Sequence, residues 1–123
     1  AKALSARSEL ADLGTALDAA IDTARLASAW LVEANGRDPR LPFAASVPFL
    51  MLMGALAGGI MLGRSALAAR VMIDSGADHD GWAAAKVALA RAYFGQTLAD
   101  VDARWATIRD SSDAVLAVDL AFL

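Results

Sequence analysis

The chain has 123 residues, 58% of them hydrophobic, with a net charge of −3 and a mean hydropathy of +0.47. That length suits one domain with a real core, not two, and acids and bases intermixed without a basic run argue against nucleic acid, which needs clustered Lys and Arg to displace counterions. With no Cys, disulfides, thiolate metal sites and a cysteine nucleophile are excluded; a reducing compartment fits, and the cytoplasm is the expected location.

Much of the apolar content is alanine, the best helix former, while aromatics are few at 7% and Pro occurs three times. The expectation is an all-α protein. In the first segment Leu10, Leu13, Leu17, Ala20, Ala24, Ala27 and Leu31 step by three and four, which puts them on one helical stripe. Asp12, Asp18, Asp22 and Arg25 fall off it. The spacing predicts a helix over 4–34, stopped by Asn35-Gly36, since Gly takes a left-handed C-cap cheaply. Residues 36–47, with Pro39 and Pro42, read as a connection without continuous helix.

A second helix is predicted over 48–73, with Ser46 capping its start, Pro48 in the first turn and Gly76 just past its end. Asp78 or Asp80 can cap a third, beginning near Trp82. Its stripe of Trp82, Ala85, Leu89 and Ala92 is handed on to Phe94, Leu98, Val101, Trp105 and Ile108. This is one long helix or two with a bend near 95–99. Asp110-Ser111-Ser112-Asp113 reads as a break before a short apolar helix, "AVLAVDLAFL". Three long helices and a short fourth pack most naturally as an antiparallel bundle, a single domain over 1–123. The amino end lacks the apolar core of a signal peptide and begins without Met, so the chain is expected to be a fragment of a longer polypeptide.

The most unusual stretch is "PFLMLMGALAGGIMLG", residues 48–63; from Phe43 to Gly63 no residue is charged. About 20 apolar residues suffice to span a bilayer, but the prolines shorten the continuously helical part, and past Arg64 the pattern turns amphipathic through Leu67, Ala68, Val71 and Met72. No membrane span is expected. Nor is this a phosphate loop: the glycines do not follow G-x-G-x-x-G, and they sit mid-helix, away from the free N–H groups of an amino end. Packing remains. Gly54 and Gly58 share one face, Gly59 and Gly63 another, so a backbone or large side chain such as a Trp can press close on each. Each Gly costs about 1 kcal/mol against Ala in a helix, which close contact must offset.

Candidate chemistry is sparse. Asp78-His79-Asp80 joins the single His to carboxylates, but loop neighbours diverge and a capping role is simpler. Asp100 with Arg104, like Arg70 with Asp74, has the i, i+4 spacing of a surface ion pair. Arg64 and Arg91 interrupt apolar helices: either could pair with an Asp, hold a phosphate-bearing ligand, or lay its stem on the bundle with its head in water. Trp30, Trp82, Trp105, Phe94 and Phe122 read as core or interface. No catalytic, cofactor-binding or metal-binding residue is assigned; the helix-packing or interface candidates are Gly54, Gly58, Gly59, Gly63, Arg64, Arg91, Tyr93 and Phe94.

Three stretches resemble the small carboxy-terminal helical domain of larger acyl-CoA dehydrogenases. "PFLMLMGALAGGIMLGRSALAA" is similar to its glycine-bearing helix. "AKVALARAYFGQTLADV" matches its Ala-Arg-aromatic-aromatic helix at Ala90, Arg91, Tyr93 and Phe94, and "DSSDAVLAVDLAFL" resembles its closing segment at Leu116, Ala117, Val118 and Asp119. Where that family tends to have Leu-Pro after the aromatic helix, this chain has Leu98-Ala99, which favours a continuous helix. The resemblance implies a non-catalytic accessory domain of an FAD-dependent enzyme oxidising fatty acyl-CoA thioesters. It would pack on the upstream dehydrogenase domains or at the interface of a homo-oligomer. The catalytic Glu and the FAD-binding elements of such enzymes belong upstream, so none is carried onto this chain. Three rivals stand beside this reading: a free-standing module that homodimerises or binds a partner helix through the Gly-lined face of 54–63, a small membrane-associated protein using 43–63, and a small helical enzyme built on Arg64 and Arg91.

Overall fold

The structure, a computed structural model, describes residues 1–118, and these form helices joined by short turns, with no strand among the described residues. A single turn, α1 (Lys2–Ser5), and a 3₁₀ turn (Ser8–Leu10) lead into the long α2 (Ala11–Arg37). A second single turn, α3 (Leu41–Ala44), precedes the apolar α4 (Ser46–Asp74); α5 (Trp82–Gln96) and α6 (Val101–Leu116) follow, separated by a 3₁₀ turn at Leu98–Asp100. The closing apolar helix expected after 113 reaches into residues 119–123, outside the described part, as do Asp119 and Phe122.

Several ends follow from local chemistry. α2 runs past Asn35-Gly36 and stops at Asp38, which is extended (φ −150°, ψ 115°) because the following Pro39 disfavours helical backbone in the residue before it. Gly36 therefore stays in the last turn and is not the cap. At the end of α4, Gly76 has φ +72°, and the N–H groups of Gly76 and Ala77 donate to the carbonyls of Ile73 and Met72. That is the paired closure a left-handed Gly makes possible. Asp78 and Asp80 both cap α5: the Asp78 carboxylate accepts the N–H groups of Ala83 and Ala84, and Asp80 accepts that of Trp82. Ser46 does not cap α4. It lies inside the helix, its hydroxyl donating to the Phe43 carbonyl.

The most extensive contact is α4 against α5; α4 also packs on α2 and α6, and α2 on α6. The shared core takes Leu10, Leu13 and Leu17 from α2 and its lead-in, Leu52 and Leu56 from α4, Phe94 from α5, and Leu98, Val101 and Ile108 beyond. The expected α2 stripe is thus the buried one, and Leu31 packs at its margin.

Three expectations need correcting. The helix expected over 4–34 is broken at Arg7, whose backbone is extended. Of the two readings of 82–108, the structure has two helices broken at 97–100, next to the bend considered at 95–99, so the continuity that Leu98-Ala99 favoured does not hold. Asp110–Asp113 lies inside α6 and is no break, the buried Ser112 hydroxyl bonding the Ile108 carbonyl. The first half of α5 turns a different face inward from the one its large residues suggested. Ala83 and Ala90 are fully buried, whereas Trp82 and Leu89 are about half exposed. Small residues win that face because they let α5 approach the glycine-rich α4 closely.

Candidate functional site

The glycines of α4 divide by what lies opposite them. A Cβ at Gly59 would come 3.0 Å from Leu98 Cδ1 and 3.6 Å from Leu17 Cδ1; one at Gly63 would come 3.0 Å from Leu4 Cδ1 and 3.7 Å from the Phe94 ring. A Cβ at Gly58 would collide with the hydroxyl end of Tyr93, which crosses that position and donates to the Ala55 carbonyl at 3.1 Å. The side chain pressing on α4 is thus Tyr93, not a Trp. Gly54 alone of the four faces open space. The Gly-lined face proposed for an outside partner is therefore mostly occupied within the fold.

The opposite side of α4 is bare and apolar. Phe43, Val47, Leu50, Met51 and Met61 are between half and four-fifths exposed, and Ile60, Val71 and Met72 extend the patch. Leu50, Gly54, Ala57, Met61 and Arg64 follow one another at steps of four and three along it, all exposed. α4 is long and apolar enough to cross a membrane, although such a helix is often the core of a soluble protein. Here the inner side is packed and the outer is not.

Beside this face lies a groove of about 410 Å³, floored by Leu50, Met51, Gly54 and Ala55 and walled by Tyr93, Thr97, Asp100 and Arg104. Asp100 and Arg104 do not form the surface pair expected from their spacing: Asp100 sits in the 3₁₀ turn, so the helical i, i+4 geometry does not hold, and neither takes part in an ion pair among the described residues. Arg64 and Arg104 are the two arginines without an ion pair among the described residues.

The remaining arginines tie elements together. Arg91 pairs with Asp12 and donates to the Glu9 carbonyl, fastening α5 to the start of α2; this hydrogen bond holds the Asp12 carboxyl below its ordinary range. Arg70 and Arg7 both grip Asp74, at 2.6 Å each, and in that order lower its pKa. Arg40 pulls Asp38 down to about 2. His79 lies exposed on the loop, and both carboxylates beside it are occupied as helix caps.

Two contacts had no sequence signal. Gly14 is buried because α1 crosses it, Ser5 lying where a Cβ would stand. The Thr23 hydroxyl donates to Asp102 at 2.8 Å, joining α2 to α6. A lone Gly or Thr in a helix looks the same whether or not another element crosses it.

Comparison with known proteins now bears on this arrangement. Residues 1–119 match the family described as acetyl-CoA dehydrogenase C-terminal like. Over 90 residues the chain is 41% identical to 3-methylmercaptopropionyl-CoA dehydrogenase of Ruegeria pomeroyi, a stretch that is 73% of this chain and 15% of that protein. No solved structure matches. The chain belongs to the acetyl-CoA dehydrogenase C-terminal-like family.

Proposed function

We propose, from membership of that family, that this is a non-catalytic accessory domain of an acyl-CoA dehydrogenase-type flavoprotein. Its helices form an antiparallel bundle that packs on the dehydrogenase core or at a subunit interface of a homo-oligomer. FAD and the acid–base chemistry on the acyl-CoA thioester belong to the preceding part of the longer protein. The observation that carries this reading is the family match over 1–119 together with a relative, itself a CoA-thioester dehydrogenase, of which the matched stretch is only 15%. The resemblance at Ala90, Arg91, Tyr93 and Phe94 falls on residues that hold α5 to α2 and α4, which suits a structural role. The absence of Cys agrees with a cytoplasmic setting. The exposed side of α4 is the surface such a domain would turn toward its neighbour.

The same bare side also favours a second reading, a free-standing module that pairs with another helix. One experiment separates the two. The 123-residue chain and the full-length protein are each mixed with FAD and passed through gel filtration. The proposal expects flavin absorbance to travel with the full-length protein and not with the short chain. Stoichiometric flavin on the short chain, or a full-length protein that carries none, overturns it.

A further inference from the structure

We infer that the bare side of α4 is the docking face for the dehydrogenase portion of the longer chain, whose apolar surface there carries carboxylates opposite Arg64 and Arg104. The inference rests on the proposed function and deepens it by naming which part of the protein covers that face and the chemistry it presents there.

The first observation is apolar. Val47, Leu50, Met51 and Met61 stand together and exposed on one side of a helix whose other side is fully used by the fold. A cluster of this kind marks an interaction surface. The second is electrostatic and independent of the first. Of 11 Lys and Arg residues, seven arginines are ion-paired among the described residues. The two arginines that are not, Arg64 and Arg104, both border this side: Arg64 lies in its stripe, and Arg104 walls the groove that Leu50 and Met51 floor. A guanidinium at the margin of an apolar contact is best matched by a carboxylate, which it can bind through two parallel hydrogen bonds.

That charge pattern also selects among occupants. If two copies met face to face with α4 antiparallel, Arg64 of one would approach the Leu50 end of the other, where Arg104 stands. With α4 parallel, Arg64 would approach its own equivalent. The parallel pairing sets cation against cation at a desolvated surface, which is unfavourable. The antiparallel one brings Arg64 to an end that carries Asp100 beside Arg104, so attraction and repulsion offset and charge gives it no net advantage. A lipid surface gains little, because the net charge of the chain is −3 and only these two free guanidinium groups border the face. A differently charged protein surface fits both observations, and the family context supplies one on the same chain.

The test uses the full-length protein. Arg64→Lys and Arg104→Lys place primary amines at the two positions, and a zero-length carbodiimide joins an amine to a carboxylate in direct contact. The proposal expects cross-links from 64 and 104 to Asp or Glu of the dehydrogenase portion. In the unsubstituted protein, Met51 and Met61 should be shielded from hydroxyl-radical oxidation at least about tenfold relative to the urea-unfolded protein. Links that join different copies in a mixture of unlabelled and ¹⁵N-labelled protein overturn the choice of occupant. So does shielding that appears only on adding vesicles of phosphatidylcholine and phosphatidylglycerol. Shielding without cross-links overturns the carboxylate pairing, and Met oxidation within about twofold of the unfolded rate overturns the docking itself. Flavin absorbance of the same preparation reports separately on the parent reading, so loss of flavin and loss of docking are distinguishable.

Discussion

The two sides of α4 invert the usual relation between size and burial. The inner side carries Leu52, Ala55, Leu56, Gly59, Gly63, Ala66 and Ala69, mostly small and all buried. The outer side carries Phe43 just before the helix, then Val47, Leu50, Met51 and Met61, all large and exposed. Small residues go inward where large side chains of the neighbouring elements, Leu4, Leu17, Phe94 and Leu98, fill the space, and large ones go outward where nothing among the described residues covers them. Apolar character alone therefore does not locate a core; the distribution of volume does.

The largest expected effect sets one side against the other. Leu52→Ala removes a fully buried side chain and should cost about 2–5 kcal/mol in urea unfolding of the 123-residue protein. Leu50→Ala, two positions away on the bare side, should change stability by under about 0.5 kcal/mol. Equal losses would erase the contrast.

Next comes Gly14→Ala. The added methyl meets the Ser5 backbone nitrogen at 2.7 Å, so the backbone of α1 must shift to admit it. Overpacking of this kind should destabilise by about 1–3 kcal/mol, read as a lower unfolding midpoint with an unchanged denaturant slope.

The α4 glycines sharpen the comparison at smaller scale. Gly54→Ala, with open space opposite, should stabilise by up to about 1 kcal/mol through helix propensity. Gly58→Ala carries the same gain but evicts the Tyr93 hydroxyl from the Ala55 carbonyl, a bond worth about 0.5–1.5 kcal/mol net. It should melt below Gly54→Ala. If the two variants are equally stabilised, the Tyr93 contact adds nothing.

The smallest effect is one of pH. The hydrogen bond from Arg91 lowers the folded-state pKa of Asp12 below its unfolded value, so the stability it contributes is fully present above the unfolded pKa of about 3.9 and is lost as pH falls through the folded value. Arg91→Met should flatten that part of the acid limb of an unfolding-midpoint profile and leave it unchanged near neutrality in shape. A superimposable acid limb in both proteins would remove the tie between α5 and α2 from the account.

How far the sequence spoke depends on the element. α2 was legible because its apolar stripe is flanked by Asp and Arg, so only one face could turn inward. The loop at 75–81 was legible because Gly76, Asp78 and Asp80 act through their own backbone neighbourhood. α5 was not: alanine occupies most of its circumference, leaving the burial of Ala83 and Ala90 over Trp82 and Leu89 to be decided by α4. The break at 97–100 falls beside the bend that was one of two readings at 95–99, whereas the break expected at 110–113 is absent, since that stretch has the composition of a turn yet is held helical by Ile108 and Ser112 packing inward. Of the candidate residues, the structure brings Gly58 and Tyr93 together, and likewise Gly63 and Phe94. It sends Arg91 to Asp12 and leaves Arg64 on the opposite side of α4. Nothing in the spacing distinguished the glycine that meets a ring from the one that meets solvent.

The junction at Leu98–Asp100 is an elbow between two rods. Tyr93 and Thr97 stand above it and Asp100 and Arg104 at or below it, so the facing walls of one cleft are carried on separate levers over a common α4 floor. Leu98, inside that junction, is also the residue seated against Gly59, so one short stretch of chain sets both the cleft and the seam beneath it. A substitution that displaces Leu98 is thereby expected to alter the mouth between Tyr93 and Arg104 together with the packing on Gly59.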